Sequence, residues 1–110
     1  YPVEYARWRA GDPAPGCEIE SLEDVGKRVG EALQAAADAV PDGTVVVATH
    51  GGAARQGCGH LLGWGPEVLR AIGALQNCHW AELRRDPVRG WQLRAYNAGI
   101  TTQSTTAGPY

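Results

Sequence analysis

A run of β-branched apolar residues that ends on a histidine and two glycines constrains this chain more than anything else in it. The run is Thr44-Val45-Val46-Val47-Ala48-Thr49; His50-Gly51-Gly52 follow, and then the helix formers Ala53-Ala54-Arg55-Gln56. An unbroken apolar stretch of this length reads as a parallel strand buried on both faces. Such a strand would deliver one imidazole to the mouth of a helix. Ligands in open α/β sheets sit just outside the carboxyl ends of strands. Free N–H groups and the helix dipole favour an anion at that point. One segment thus predicts both a place for a ligand and the sign of its charge.

The bulk properties narrow the partners. A chain of 110 residues is one domain at most, and 44% hydrophobic with 20% charged residues is ordinary globular composition. A net charge of −2 gives no broad basic footprint, which argues against a nucleic-acid partner. No apolar run approaches the ~20 residues that span a bilayer, and no signal-peptide pattern is present, so no membrane partner is expected. Cys17, Cys58 and Cys78 are a sparse, odd set, as in reduced thiols of a cytoplasmic protein rather than a disulfide framework. A first residue other than Met, in a chain with no Met at all, fits a processed or truncated product.

The spacing of apolar and turn residues predicts the local elements. Residues 1–9 read as the end of a helix, and 11–16 as a loop by its Gly and Pro content. Ser21-Leu22-Glu23-Asp24 has the form of a helix-capping signal. Leu22, Val25, Val29, Leu33 and Ala36 or Ala37 then make an apolar stripe at helical period, ending near Ala39 where Val40-Pro41-Asp42-Gly43 stops it. Gly26 and Gly30 weaken that helix but admit a neighbouring backbone at close range. Beyond His50 a helix is expected over residues 53–62, stopped by Gly63, with a shorter one over 66–75. Residues 78–84 and 91–96 alternate like two strands joined by 86–90, and 101–110 form a polar tail. The helix–strand–helix order predicts an α/β fold with a partly parallel sheet.

His50 is the leading candidate for function, since Gly51 and Gly52 let an anion approach the backbone. A histidine closing a buried strand is also compatible with a satisfied core side chain. Arg55 could add charge to the same site or serve structure alone. Arg28 reads as a structural ion-pair partner, and Glu18 and Glu20 as partners of a helix dipole. Cys58, His60, Cys78 and His79 raise the question of a soft metal site, but their spacing is not that of zinc ligands; Cys58 reads as core and His79 as a strand side chain. His-Gly-Gly after a strand also occurs in the oxyanion loops of some esterases. That chemistry needs Gly-x-Ser-x-Gly, and the only serines here are Ser21 and Ser104, neither in that context.

Taken in order, these pieces resemble the C-terminal half of the histidine phosphatase superfamily, which includes phosphoglycerate mutases and broad-specificity phosphatases. The apolar strand, His-Gly-Gly and early helical arginine of that family are matched from Val45 to Arg55. Tyr5-Ala6-Arg7-Trp8-Arg9, Pro15-Gly16 and Glu20-Ser21-Leu22 resemble its upstream helix end, loop and helix start. Leu75-Gln76-Asn77-Cys78-His79-Trp80-Ala81-Glu82-Leu83 resembles its Asn-led strand, and residues 91–97 its last one. The likeness covers residues 1–100. It implies a partial three-layer α/β/α sandwich of phosphoglycerate mutase-like type, without its N-terminal strand and helices.

What the resemblance implies for function is a phosphomonoester hydrolase or mutase working through a phosphohistidine. His50 would be its catalytic and phosphate-binding imidazole, with the Gly51 N–H assisting. Phosphate monoesters or inorganic phosphate are the expected ligands, with no metal and no cofactor. The chain departs from the family at Ile19, where a glycine is usual, and it contains no Arg-His-Gly. The family's nucleophile, its two phosphate-binding arginines and its general acid therefore have no counterpart here, and the chain alone is expected to be inactive. The alternative is a non-catalytic anion-binding or dimerisation fragment. Residues 45–48 would then expose a sheet edge for another chain to cover, through self-association or by the missing half.

Overall fold

The structure, a computed structural model, describes residues 2–11 and 20–100. Ser21 sets the frame of its longest helix. The Ser21 Oγ accepts a hydrogen bond from the Asp24 N–H at 3.1 Å, and α2 runs Leu22–Ala39 with the limits its apolar stripe predicts. Before it lies α1, Pro2–Arg9, tied to the start of α2 by the Trp8 indole N–H donating to the Glu20 carbonyl at 2.7 Å. The third helix, α3, spans Gly51–Leu62. It begins two residues earlier than the helix formers suggest, because His50, extended at φ −99° and ψ 151°, is itself the N-cap. Its carbonyl takes the first helical bond from Ala54 N–H at 2.8 Å. Gly63 ends α3 in the left-handed conformation, φ 72°, as a glycine stop should.

The short α4, Pro66–Ala71, stops before residue 75, since Ile72 is already extended. The chain then passes through 72–79 into an antiparallel hairpin, β1 Trp80–Asp86 and β2 Gly90–Ala98, with Leu83 opposite Leu93 and Asp86 opposite Gly90. The first strand starts two residues later than its alternation suggests. Cys78 sits at φ 62°, and the His79 N–H bonds back to the Gln76 carbonyl at 3.1 Å, closing a turn. His79 therefore lies in that turn and not in the strand, its Nδ1 3.0 Å from the Asn77 carbonyl oxygen. At the far end Asp86 Oδ1 accepts from the N–H groups of Val88 and Arg89, both at 2.8 Å, an Asx-type turn that holds its carboxyl below the usual value.

The molecule is built around the contact of α2 with α3. Gly26 and Gly30, buried on α2, meet α3 so closely that a Cβ on Gly26 would stand 2.9 Å from the Gln56 carbonyl oxygen and one on Gly30 2.5 Å from the His60 ring. Gly57 answers from α3 against Val29 and Leu33. This is the close approach those glycines foretell. Ala54, Cys58 and Leu75 form the buried apolar centre among the described residues. The hairpin is fastened to the last turns of α2. The Trp91 indole N–H donates to Gln34 Oε1 at 3.2 Å, and Arg85 reaches Asp38 at 2.7 Å while lying over the Trp91 ring.

Helices and a small sheet make this a mixed α and β structure, and two expectations are not met among the described residues. Residues 44–50 form no strand, and the described sheet has two strands, paired antiparallel. The parallel strand and the three-layer sandwich are thus absent among the described residues. A strand is defined by bonds to a neighbour, and the hairpin satisfies itself, leaving 44–49 with none. All of 40–50 is exposed, with Val46 at 91%. The loop 12–16 and the tail 101–110 lie outside the described residues. No helix among the described residues is long and apolar enough to cross a membrane.

Candidate functional site

His50 stands where the extended segment turns into α3. Its side chain is exposed and makes no capping hydrogen bond, so the imidazole is free to meet a ligand. Because Ala54 N–H makes the first helical bond, the amides of Gly51, Gly52 and Ala53 have no intrahelical acceptor. Three N–H donors and one imidazole therefore share the positive end of a twelve-residue helix. Such a set can hold a tetrahedral oxyanion and neutralise part of its charge. The first turn of α3 carries no acidic residue to oppose that charge.

The two glycines owe their identity to different surroundings. A Cβ on Gly51 would overlap the Leu75 carbonyl oxygen, whereas the corresponding space at Gly52 is empty. Gly51 is thus required by packing and Gly52 leaves its side of the turn open. Sequence reasoning had no signal for Leu75 as the neighbour of Gly51. The glycine advertised a close approach without naming what approaches.

Arg55 is half-buried and turns part of its guanidinium inward. Its Nη1 donates to the Ile72 carbonyl at 3.1 Å, and its Nε is shielded without a partner. That contact supports the structural alternative for this residue. Arg28 makes two hydrogen bonds to Glu20, at 2.9 and 3.0 Å, as an ion pair on the surface. The guanidinium holds the Glu20 carboxyl below its usual value, so Glu20 serves Arg28 beside the helix cap. Both guanidinium groups thus make contacts within the chain.

The four Cys and His residues considered for a metal divide between separate environments. Cys58 is buried on α3, where burial pushes its thiol pKa up and keeps it from becoming a thiolate. His60 is exposed and packs its ring over Gly30. Cys78 and His79 lie in the turn before β1. Among the described residues no group of three His, Cys, Asp or Glu is placed to hold a metal ion. Three further residues lie near α3 that the sequence did not single out: Leu75, Tyr96 and Asn97. Only Asn97 is of a residue type that tolerates the left-handed region, and the structure places it there, at φ 55°.

A family model, the histidine phosphatase superfamily (branch 1), matches residues 1–99 of the chain. No curated protein and no solved structure matches it.

Proposed function

We propose that this chain, which belongs to the histidine phosphatase superfamily, uses His50 to bind and stabilise a phosphoryl group during phosphomonoester hydrolysis or transfer. The observation that carries the reading is the exposed, uncapped imidazole of His50 set beside the free amides of Gly51 and Gly52 at the start of α3. Phosphate is the anion that best uses this set, since its oxygens accept from several donors at once.

In the reaction, His50 donates a hydrogen bond to a non-bridging phosphoryl oxygen, and the Gly51 N–H takes another. Both bonds strengthen as charge builds on those oxygens in the transition state. A second histidine attacks phosphorus as the ester P–O bond breaks, and the alcohol departs with a proton from a general acid. Water then cleaves the P–N bond of the phosphohistidine to release inorganic phosphate and free the imidazole. These 110 residues hold no Arg-His-Gly to supply that nucleophile. One imidazole and a few amides leave most of the phosphate charge unbalanced, so the chain by itself turns over little or no substrate. It binds inorganic phosphate and contributes half of a two-histidine pocket.

The exposed segment 44–50 supports a companion proposal. Val45, Val46 and Val47 are uncharged and exposed, and their backbone groups belong to no helix or strand. The segment becomes an inner strand of a three-layer sandwich when another polypeptide pairs with it, and self-association of this chain is the simplest source. Light scattering that finds only a stable monomer at working concentration removes self-association.

An aryl phosphate assay and a phosphate titration, each run on the chain and on His50→Ala, test the main reading. The chain should show near-background hydrolysis, together with phosphate-dependent shifts of the His50 ring and Gly51 amide that His50→Ala weakens strongly. Phosphate binding or hydrolysis that persists unchanged in His50→Ala overturns the assignment and leaves a non-catalytic module.

A further inference from the structure

We infer that Arg55 is a positioning residue for His50, acting through the 72–76 segment that lies against the first residue of α3. The inference rests on the phosphoryl-binding role proposed for His50. The side chains around the segment carry it.

Gly51 lies so near the Leu75 carbonyl that a Cβ there would overlap its oxygen, and a shift of Leu75 toward α3 would press on the turn that aims His50. Leu75 belongs to an extended stretch with no helix or strand of its own. A free loop would wander on the scale that ruins a phosphate pocket. Three side chains prevent this. Arg55 Nη1 donates to the Ile72 carbonyl at 3.1 Å, the Tyr96 hydroxyl donates to the Gly73 carbonyl at 2.5 Å, and Asn97 Oδ1 accepts from the Gln76 N–H at 2.9 Å. Leu75 is held between these anchors, two on one side and one on the other.

Arg55 is the anchor that belongs to the same helix as His50. It ties Ile72 directly to α3, so the helix that carries the imidazole also fixes the segment packed against its own first residue. Tyr96 and Asn97 tie the same segment to β2. A tyrosine hydroxyl is protonated at neutral pH, so this donor is present there, and burial pushes its pKa further up. The sequence distance from His50 to Arg55 is five residues, yet the coupling runs through a segment more than twenty residues further on. Spacing alone does not reveal it.

The test uses the isotope-labelled chain and three variants, with inorganic phosphate as the probe. Arg55→Met removes the donor and keeps apolar bulk; Tyr96→Phe removes one hydroxyl and keeps the ring; Arg55→Lys keeps charge and one donor for Ile72. Arg55→Met and Tyr96→Phe should move the Gly51 amide resonance and weaken phosphate binding at His50 by roughly 3- to 30-fold. Arg55→Lys should recover most of the affinity. The amides of Val88 and Arg89 at the hairpin tip should not move. Wild-type Gly51 shifts and phosphate affinity in Arg55→Met overturn the inference, as do changes at the hairpin tip as large as those at Gly51. If the wild-type chain fails to bind phosphate, the proposed function falls. The Gly51 resonance in unliganded Arg55→Met then decides the positioning: displaced, it stands; unmoved, it fails.

Discussion

The α2–α3 pair and the segment 44–50 that joins the two helices are continuous in the chain and opposite in how far they complete themselves. The helices satisfy most of their backbone internally, the first amides of α3 excepted, cap ends at Ser21 and Gly63, and close on one another through Gly26, Gly30 and Gly57. The connecting segment has the stronger β pattern of any in the chain, yet it stands exposed and unpaired. A helix carries its own hydrogen-bond partners; a strand must borrow them. Local sequence therefore suffices for the first kind of element and only permits the second. His50 sits at the junction, positioned by the completed side and flanked by the incomplete one.

The largest expected effect falls on that junction. In an assembled enzyme that contains this chain, His50→Ala should lower the phosphoryl-transfer rate by about 10²- to 10³-fold, the usual cost of losing one transition-state donor. Steady-state kinetics on an aryl phosphate measures it. A loss confined to KM would mean that His50 holds substrate and transition state alike.

The next test sets the two regions directly against each other. Gly30→Leu places side-chain atoms where the His60 ring lies and should destabilise the chain by about 1–3 kcal/mol. Val46→Thr, at a residue 91% exposed, should change stability by less than about 0.5 kcal/mol. Denaturant unfolding of both variants checks the pair. Equal effects would break the comparison. Removal of the α2 cap comes third: Ser21→Ala should cost about 1 kcal/mol in the same experiment.

The smallest effect is an acid dependence. The Arg28 guanidinium depresses the Glu20 carboxyl, and the Arg89 and Val88 amides depress Asp86. A lowered folded value means stability present above the unfolded pKa, about 4, and lost as pH falls through the lowered values. The melting temperature should hold steady from neutral pH to about pH 5 and decline below pH 4. Asp86→Ala should flatten part of that decline, read by Trp91 fluorescence at the hairpin.

Much of the helical frame was legible in the sequence because its signals are local. Ser21 with its acids, the stripe from Leu22 to Leu33, the helix-packing glycines and the stop at Gly63 act over one or two turns. The ends of the hairpin were less legible. Cys78 follows an alternating pattern but adopts φ 62° because the turn bonding His79 to Gln76 comes first. The strand expected at 45–48 is absent for a different reason: its composition states a preference that the described residues give no partner to satisfy. At the site, His50 and Gly51 announced themselves through the break from strand-like to helix-like residues. Leu75, Tyr96 and Asn97 did not, since each matters only for what lies beside it.

By itself the sequence determined the helices, the place where the chain turns at His50-Gly51-Gly52, and the family whose pattern covers residues 1–99. Those are matters of periodicity, capping and residue order, which short stretches carry on their own. Only the tertiary structure decided that Gly51 answers to the Leu75 carbonyl, that Arg55 bonds to the Ile72 carbonyl, and that 44–50 is unpaired among the described residues. Each of these depends on backbone groups brought together from distant parts of the chain. A carbonyl looks the same at every position in a sequence, so nothing short of the fold can say which one a given side chain meets.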